Sequence, residues 1–276
     1  MSEEGSVAKH GMIRTGMGGW SYEPWRESFY PADVPQRREL EYASREVTAI
    51  EINSTFYRLQ KPEIFAGWRD QTPEHFVFTA KASRNATYRK NLTEARESVE
   101  RFANGVSALA PKLGAISWQL PPTKKFERAE IETFLSFLPR AARGVPLRHA
   151  LEVRHQTFMC EEFLDVARAA GVSVVLADSD EYPSFADVTG DFIYGRLMRT
   201  VASEPTGYTK PALEAWARRA ELWASGREPS DLPKVSASVP PAKPRDVFLF
   251  FISGAKERAP LAARELAKQV RAFNDV

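Results

Sequence analysis

Cysteine is nearly absent. Cys160 is the only one in 276 residues, which excludes an internal disulfide framework and fits a reducing compartment. It sits at a helix start with no evident base beside it and reads as an inert thiol. Histidine is scarce too, at four. His10 lies near the N-terminus, His75 and His149 open apolar runs, and His155 begins a loop. A zinc hydrolase or multi-zinc nuclease is therefore disfavoured. No apolar run reaches membrane-spanning length, and residues 1–11 form a polar arm without a signal-like core. A cytoplasmic protein with no membrane partner is expected. Excess charge is also lacking, since the formal net charge is +2, although a local basic surface can hide inside such a balance. No Ser-His-Asp pattern, CxxC pair, P-loop lysine or GxGxxG helix opening occurs. Gly16-Met17-Gly18-Gly19 reads instead as backbone held close to its aromatic neighbours.

What the chain has is a repeating order of strand and helix. Strands are expected over 12–19, 48–52, 75–81, 113–120, 148–154, 172–178, 192–197 and 247–252. Helices are expected over 36–45, 62–70, 92–109, 129–138, 161–170, 211–225 and 261–273, with Gly171 stopping the fifth. Repeated β-then-α order implies parallel strands joined by right-handed crossovers. Eight such units in about 260 residues match a single TIM-type (β/α)8 barrel, here over 12–276. An open doubly wound sheet is the alternative, but its phosphate-binding fingerprint is missing. Residues 227–245 carry five prolines and no apolar period, so they read as an extended excursion between the seventh helix and eighth strand.

In barrels of this kind chemistry sits at the C-terminal ends of the strands. Read in order, those ends supply Glu51 and Asn53, Lys81, Gln119, Glu152 and Arg154, Asp178, and Arg196. Glu51 and Asn53 are two apart, so they share one face of their strand. Glu51, Glu152 and Asp178 are acid/base candidates. Lys81, Arg154 and Arg196 suit a phosphate or carboxylate, with Asn53, Tyr57 and Gln119 orienting it and Trp20 and Trp25 available for stacking. The expected function is an enzyme acting on a small anionic substrate. No cofactor is firmly implied, although the oxygen ligands suit Mg²⁺ or Mn²⁺, with Asp178 a candidate ligand. Two other readings stand beside it. The charges could form a structural ion-pair network closing the mouth. Alternatively, Arg84, Arg89, Lys90, Lys124, Lys125, His155 and Arg199, interleaved with Tyr22, Trp25, Tyr57 and Tyr88, could hold nucleic acid without turnover. Oligomeric state has no signature here.

The same residues carry a resemblance. The stretches Gly19-Trp20-Ser21-Tyr22-Glu23-Pro24-Trp25 with Phe29-Tyr30-Pro31, and Glu51-Ile52-Asn53-Ser54-Thr55-Phe56-Tyr57, resemble the YecE-like family. So do Lys81-Ala82, Gln119-Leu120-Pro121-Pro122, Glu152-Val153-Arg154 with Phe158, and Asp178. This bacterial and archaeal family is classed as a domain of unknown function. The resemblance spans about 13–273 and implies a TIM-type barrel with one site at the strand ends, but no reaction. Two departures mark a divergent branch. Where the family often has Arg-x-His-Gly at the seventh strand, this chain has Arg196-Leu197-Met198-Arg199. Where it often has an aromatic-asparagine pair at the eighth, this chain has Phe250-Phe251-Ile252-Ser253.

Overall fold

A strand buried on both faces must be apolar along its whole length, and parallel strands under helices meet that condition. The computed structural model describes residues 10–26 and 28–274, with side chains through 270. Eight parallel strands close a barrel: β1 Ile13–Gly18, β2 Ala49–Ile52, β3 Val77–Lys81, β4 Leu113–Gln119, β5 His149–Glu152, β6 Ser173–Asp178, β7 Phe192–Leu197 and β8 Asp246–Phe251. Neighbours in sequence are neighbours in the ring, and β1 pairs with both β2 and β8. The expected strand set and TIM-type fold are both present.

The barrel interior is filled asymmetrically. Ala49, Ala115 and Ala150 from β2, β4 and β5 share one buried cluster with Phe192, Tyr194, Phe248 and Phe250 from β7 and β8. Small side chains from one part of the wall thus leave room for rings from the other. The alternate residues, among them Ile50, Phe78, Trp118, Leu151, Leu176 and Phe251, belong to the larger cluster beneath the helices. The glycines of β1 allow close approach. A Cβ on Gly16 would lie 1.9 Å from the Ala49 carbonyl oxygen, and one on Gly18 would lie 2.5 Å from Asn53 Nδ2.

The helices are α1 Glu39–Glu46, α2 Pro62–Asp70, α3 Arg84–Thr87, α4 Arg96–Val106, α5 Arg128–Ser136, α6 Glu161–Ala170, α7 Lys210–Ala224 and α8 Ala259–Asn274. Gly171 ends α6 in the left-handed region at φ 67°, as its sequence position predicts. No helix of the described residues is long and apolar enough to cross a membrane. Of the arm expected over 1–11, residues 1–9 lie outside the described residues. His10 and Gly11 are bound to α7, through the Glu221 carboxylate and the Ala224 carbonyl.

The connection from β6 to β7, residues 179–191, contains no helix. The proline-rich excursion packs against this connection. The Asp187 carboxylate accepts from Val235 N–H at 2.8 Å and Ser236 N–H at 2.9 Å, and Ala186 N–H donates to the Pro233 carbonyl at 2.8 Å. Leu232 and Val235 pack on the core cluster. The segment is therefore a fastened strap over the place where the sixth crossover helix is missing. Replacing Asp187 with alanine leaves two strap N–H groups without acceptors. This change is expected to cost about 1–3 kcal/mol in urea denaturation and to make 227–245 the first site of limited proteolysis.

Candidate functional site

Each central side chain is delivered by strand parity. Tyr194 lies inside the barrel, so Arg196, two residues on, emerges above it on the same face of β7. Glu51 on β2 and Glu152 on β5 meet it there. Arg196 Nη2 donates to Glu51 Oε1 at 3.1 Å, and Nη1 donates to Glu152 Oε2 at 2.5 Å. All three residues are at most 2% exposed. Tyr194 donates its hydroxyl to Glu51 Oε2 at 2.6 Å and lies 2.9 Å from the Thr79 hydroxyl. Glu152 accepts further bonds from Gln119 Nε2 at 2.8 Å and Arg154 Nε at 2.6 Å. The Arg196 Nε–H is buried and has no partner among the described residues.

These bonds fix the charge states. Burial alone would raise the Glu152 carboxyl, but Arg196 and then Arg154 outweigh it, and Gln119 adds a donor, so the group is held at about 2. Burial likewise disfavours the Arg196 cation, and the two carboxylates more than restore it. Tyr194 is raised by burial and by the adjacent Glu51 carboxylate, so it stays a donor. A divalent cation does not fit this pair of carboxylates, because the Arg196 guanidinium already stands between them. Among the described residues no group of three His, Cys, Asp or Glu side chains converges as a metal site.

Above this layer opens a cavity of about 510 Å³, lined by Lys81, Gln119, Arg154 and Arg196 with Asn53, Tyr57 and Trp25 on its walls. That volume suits a small molecule. Lys81 is the exception among the charged strand-end groups. Its ammonium makes no ion pair among the described residues and lies 4.3 Å from the centroid of the Phe56 ring. Burial and the neighbouring Arg196 lower it to about 8, with Glu51 and Glu152 only partly opposing them. The backbone beneath it is held by Thr55, whose buried hydroxyl donates to the Lys81 carbonyl at 2.7 Å.

Two expected site residues lie elsewhere. Trp20 packs edge-on against Trp68 at 4.9 Å and Phe78 at 6.4 Å, beneath the helical layer. Asp178 is out of phase with the inward residues of β6, since Val175 is the one in the interior cluster. It accepts from the Tyr208 hydroxyl at 2.8 Å, pairs with Arg199 at 3.3 Å and lines a separate cleft beside α7. Burial raises it, and Tyr208 and Arg199 offset this only in part. Trp25 is buried, its indole bonded to the Lys256 carbonyl at 2.9 Å, while Tyr57 is exposed at the rim.

Lys256, Phe56 and Tyr88 line the cavity, and together with Tyr194 and Thr79 beneath it they were not singled out for this site from the sequence. Parity would have found Tyr194 and Thr79, each two residues before a selected one. Lys256 follows a turn in which Ser253 and Gly254 are both left-handed, at φ 69° and 58°. Its ammonium reaches the Tyr22 ring at 4.2 Å, and burial lowers its pKa.

Several rim cations are committed within the chain. Arg89 bonds the Asn85 carbonyl and Ser98, Lys124 bonds Glu130 and the Lys90 carbonyl, and Arg199 pairs with Asp178 and Asp180. A larger cavity of about 710 Å³ lies where β5 begins and includes His149. Both nitrogens of His149 are engaged there, with Trp118 Nε1 at 3.1 Å and the Pro139 carbonyl at 2.9 Å.

A family model described as protein of unknown function DUF72 matches residues 14–276. The chain belongs to the DUF72 family. Among relatives in that family, it is 31% identical over 173 residues to the UPF0759 protein YecE of Escherichia coli strain K12, covering 61% of this chain and 60% of the relative. The DUF72 chain thus spans about 60% of the length of the curated relatives it matches first. A DUF72 family protein of Thermotoga maritima superposes with a TM-score of 0.72 at 23% identity, over 94% of this chain and 99% of the other. One of Enterococcus faecalis gives 0.65 at 16%, over 97% and 99%. At those identities the likeness establishes the fold.

The buried triad should report itself in acid. A carboxyl held below its ordinary 4.5 contributes stability that is present above that value and lost as pH falls toward about 2. For Glu152 the loss is expected to be about 3 kcal/mol across that window, and it should vanish in Glu152→Gln. That variant strands part of the Arg196 and Arg154 charge and is expected to cost about 3–5 kcal/mol at pH 7. Chemical denaturation as a function of pH measures both.

Proposed function

We propose that this barrel is an enzyme acting on a small anionic substrate, a carboxylate or phosphate, and that Lys81 transfers the proton. What carries the reading is the unpaired Lys81 amine in a cavity whose neighbouring carboxylates are already consumed by arginine. Carboxylate acid/base chemistry by Glu51 and Glu152 gives way for that reason. Glu152 at about 2 holds no proton near neutrality, and Glu51 has one oxygen on Arg196 and the other on Tyr194. Their part is to position Arg196 and set the field around Lys81. Asp178, in its separate cleft, has no place in the step.

Charge supports an anion. Lys81, Arg154, Arg196 and Lys256 line the cavity against the two carboxylates beneath it, a surplus of two positive charges when both lysines are protonated. Arg154 lies 4.1 Å above the Tyr182 ring, and its fork is committed only through Nε, so donors remain for a substrate carboxylate or phosphate. A lysine near 8 keeps about a tenth of its population neutral at pH 7, so the amine can take a proton from bound substrate and return it. The nucleic-acid reading has less support, because several of the rim cations it needs are bound within the chain.

Calorimetry with inorganic phosphate and small carboxylates tests the site. Affinity is expected to be highest below pH 8 and to fall as pH rises past it, because Lys81 then loses its charge. Lys81→Met should weaken binding at least tenfold at pH 7 and abolish that pH dependence. A wild-type protein that binds none of these anions at low salt, or whose binding ignores the substitution, would overturn the proposal.

A further inference from the structure

A lysine amine has two chemistries open to it, as a base or as a nucleophile. We propose that Lys81 condenses with the carbonyl carbon of a small anionic aldehyde or ketone to form a covalent imine, while Arg154 and Lys256 hold the anionic end. This rests on the anion-site reading above and names its substrate class: a compound carrying both a carbonyl group and a carboxylate or phosphate.

The geometry around the amine favours the nucleophilic role. Lys81 stands at the C-terminal end of β3, with Phe56 covering one side of its ammonium at 4.3 Å. No carboxylate pairs with it among the described residues. An ion-paired lysine would have to break that pair before attacking, and this one does not. Desolvation and the adjacent Arg196 keep part of it neutral, the form that carries the lone pair. Once the imine forms and is protonated, Glu51 and Glu152 act on its positive charge in the favourable sense, partly offsetting burial, Arg196 and Arg154. Those carboxylates are locked by Arg196, Arg154, Gln119 and Tyr194, so they stabilise that charge without moving to neutralise it.

The step balances without a further reactant. The neutral Lys81 nitrogen attacks the carbonyl carbon, a C–N bond forms, and the C=O π pair moves to oxygen. A proton passes from nitrogen to that oxygen to give the carbinolamine. A second proton, from solvent or the Tyr88 hydroxyl on the cavity wall, lets the oxygen leave as water, and the nitrogen lone pair closes the C=N bond. The product is a protonated imine, able to draw electrons from the adjacent carbon and so ease loss of a proton there.

Reductive trapping tests this on the intact protein. The chain is incubated with glyoxylate or with glycolaldehyde phosphate, reduced with sodium cyanoborohydride, digested and read by mass spectrometry. The expected result is one adduct per chain on Lys81, at least tenfold over any other lysine, with initial labelling rates rising up to about pH 8 as the amine becomes neutral. Inorganic phosphate should suppress it. The two probes separate a carboxylate-bearing from a phosphate-bearing substrate by their relative yields. Lys81→Arg, which keeps the charge but has no amine able to close the C=N bond, should lose the adduct. Labelling spread over surface lysines, or centred on Lys256, overturns the assignment. Calorimetric binding of the probes without an adduct overturns the imine and leaves the anion site standing; absence of both binding and adduct overturns the two together.

Discussion

One guanidinium joins three strands that do not pair with one another. Arg196 rises from β7 and reaches Glu51 on β2 and Glu152 on β5, whereas the ring neighbours of β7 are β6 and β8. The two ion pairs therefore span the barrel interior and tie its wall across the lumen. A buried charge without a partner is among the costliest features a fold can carry. Here one cation faces two anions, and Arg154 with Gln119 supplies the balance on Glu152. Tyr194 completes Glu51 from below. The identities of these residues depend on one another, because removing any one strands a partner out of reach of water.

That interdependence divides the strand-end groups into committed and free ones. The carboxylates look like catalysts by type and position, yet they are spent on Arg196. Lys81 looks like a simple anion holder, yet no committed partner claims it. A rigid charged layer with an uncommitted amine above it is an arrangement in which protein dipoles need not reorganise as charge develops on bound substrate. The structural-network reading and the ligand-site reading thus describe two adjacent levels of one barrel, the network below and the proposed site above it.

The strand order, the barrel and the strand-end location of these groups were legible because apolar runs recur eight times and six of them end in polar residues. Which face each polar residue would take was only partly legible. Glu152 and Arg154, two apart, share a phase with each other, and Glu51 with Asn53 does likewise. For Asp178 the phase was hidden, since Val174, Val175, Leu176 and Ala177 are all apolar and a parallel strand buried on both faces shows no alternation. Trp20 was misplaced for a similar reason: an aromatic loop after β1 serves the outer layer as readily as the mouth. Pairing across the lumen cannot be read locally at all, because it joins residues 44 apart for Arg196 with Glu152 and 145 apart for Arg196 with Glu51. The absence of a sixth helix was legible, since no helical period was read between 178 and 192. The strap that occupies its place had only prolines to mark it.

The positions that the sequence resemblance singles out as departures from the YecE-like pattern lie outside that buried layer. Arg196, the tie itself, is retained. The changed residues come after it and after β8, where Met198, Arg199 and Ser253 line a shallow cleft at the rim, and Ile252 and Ser253 also border the central cavity. Arg199 turns away to Asp178 and Asp180. Altering such positions reshapes what enters the mouth without disturbing the buried charges, because none of them takes part in the Glu51–Arg196–Glu152 bonds. A barrel built this way can vary its rim residues while the interior, in which every charge depends on another, stays fixed.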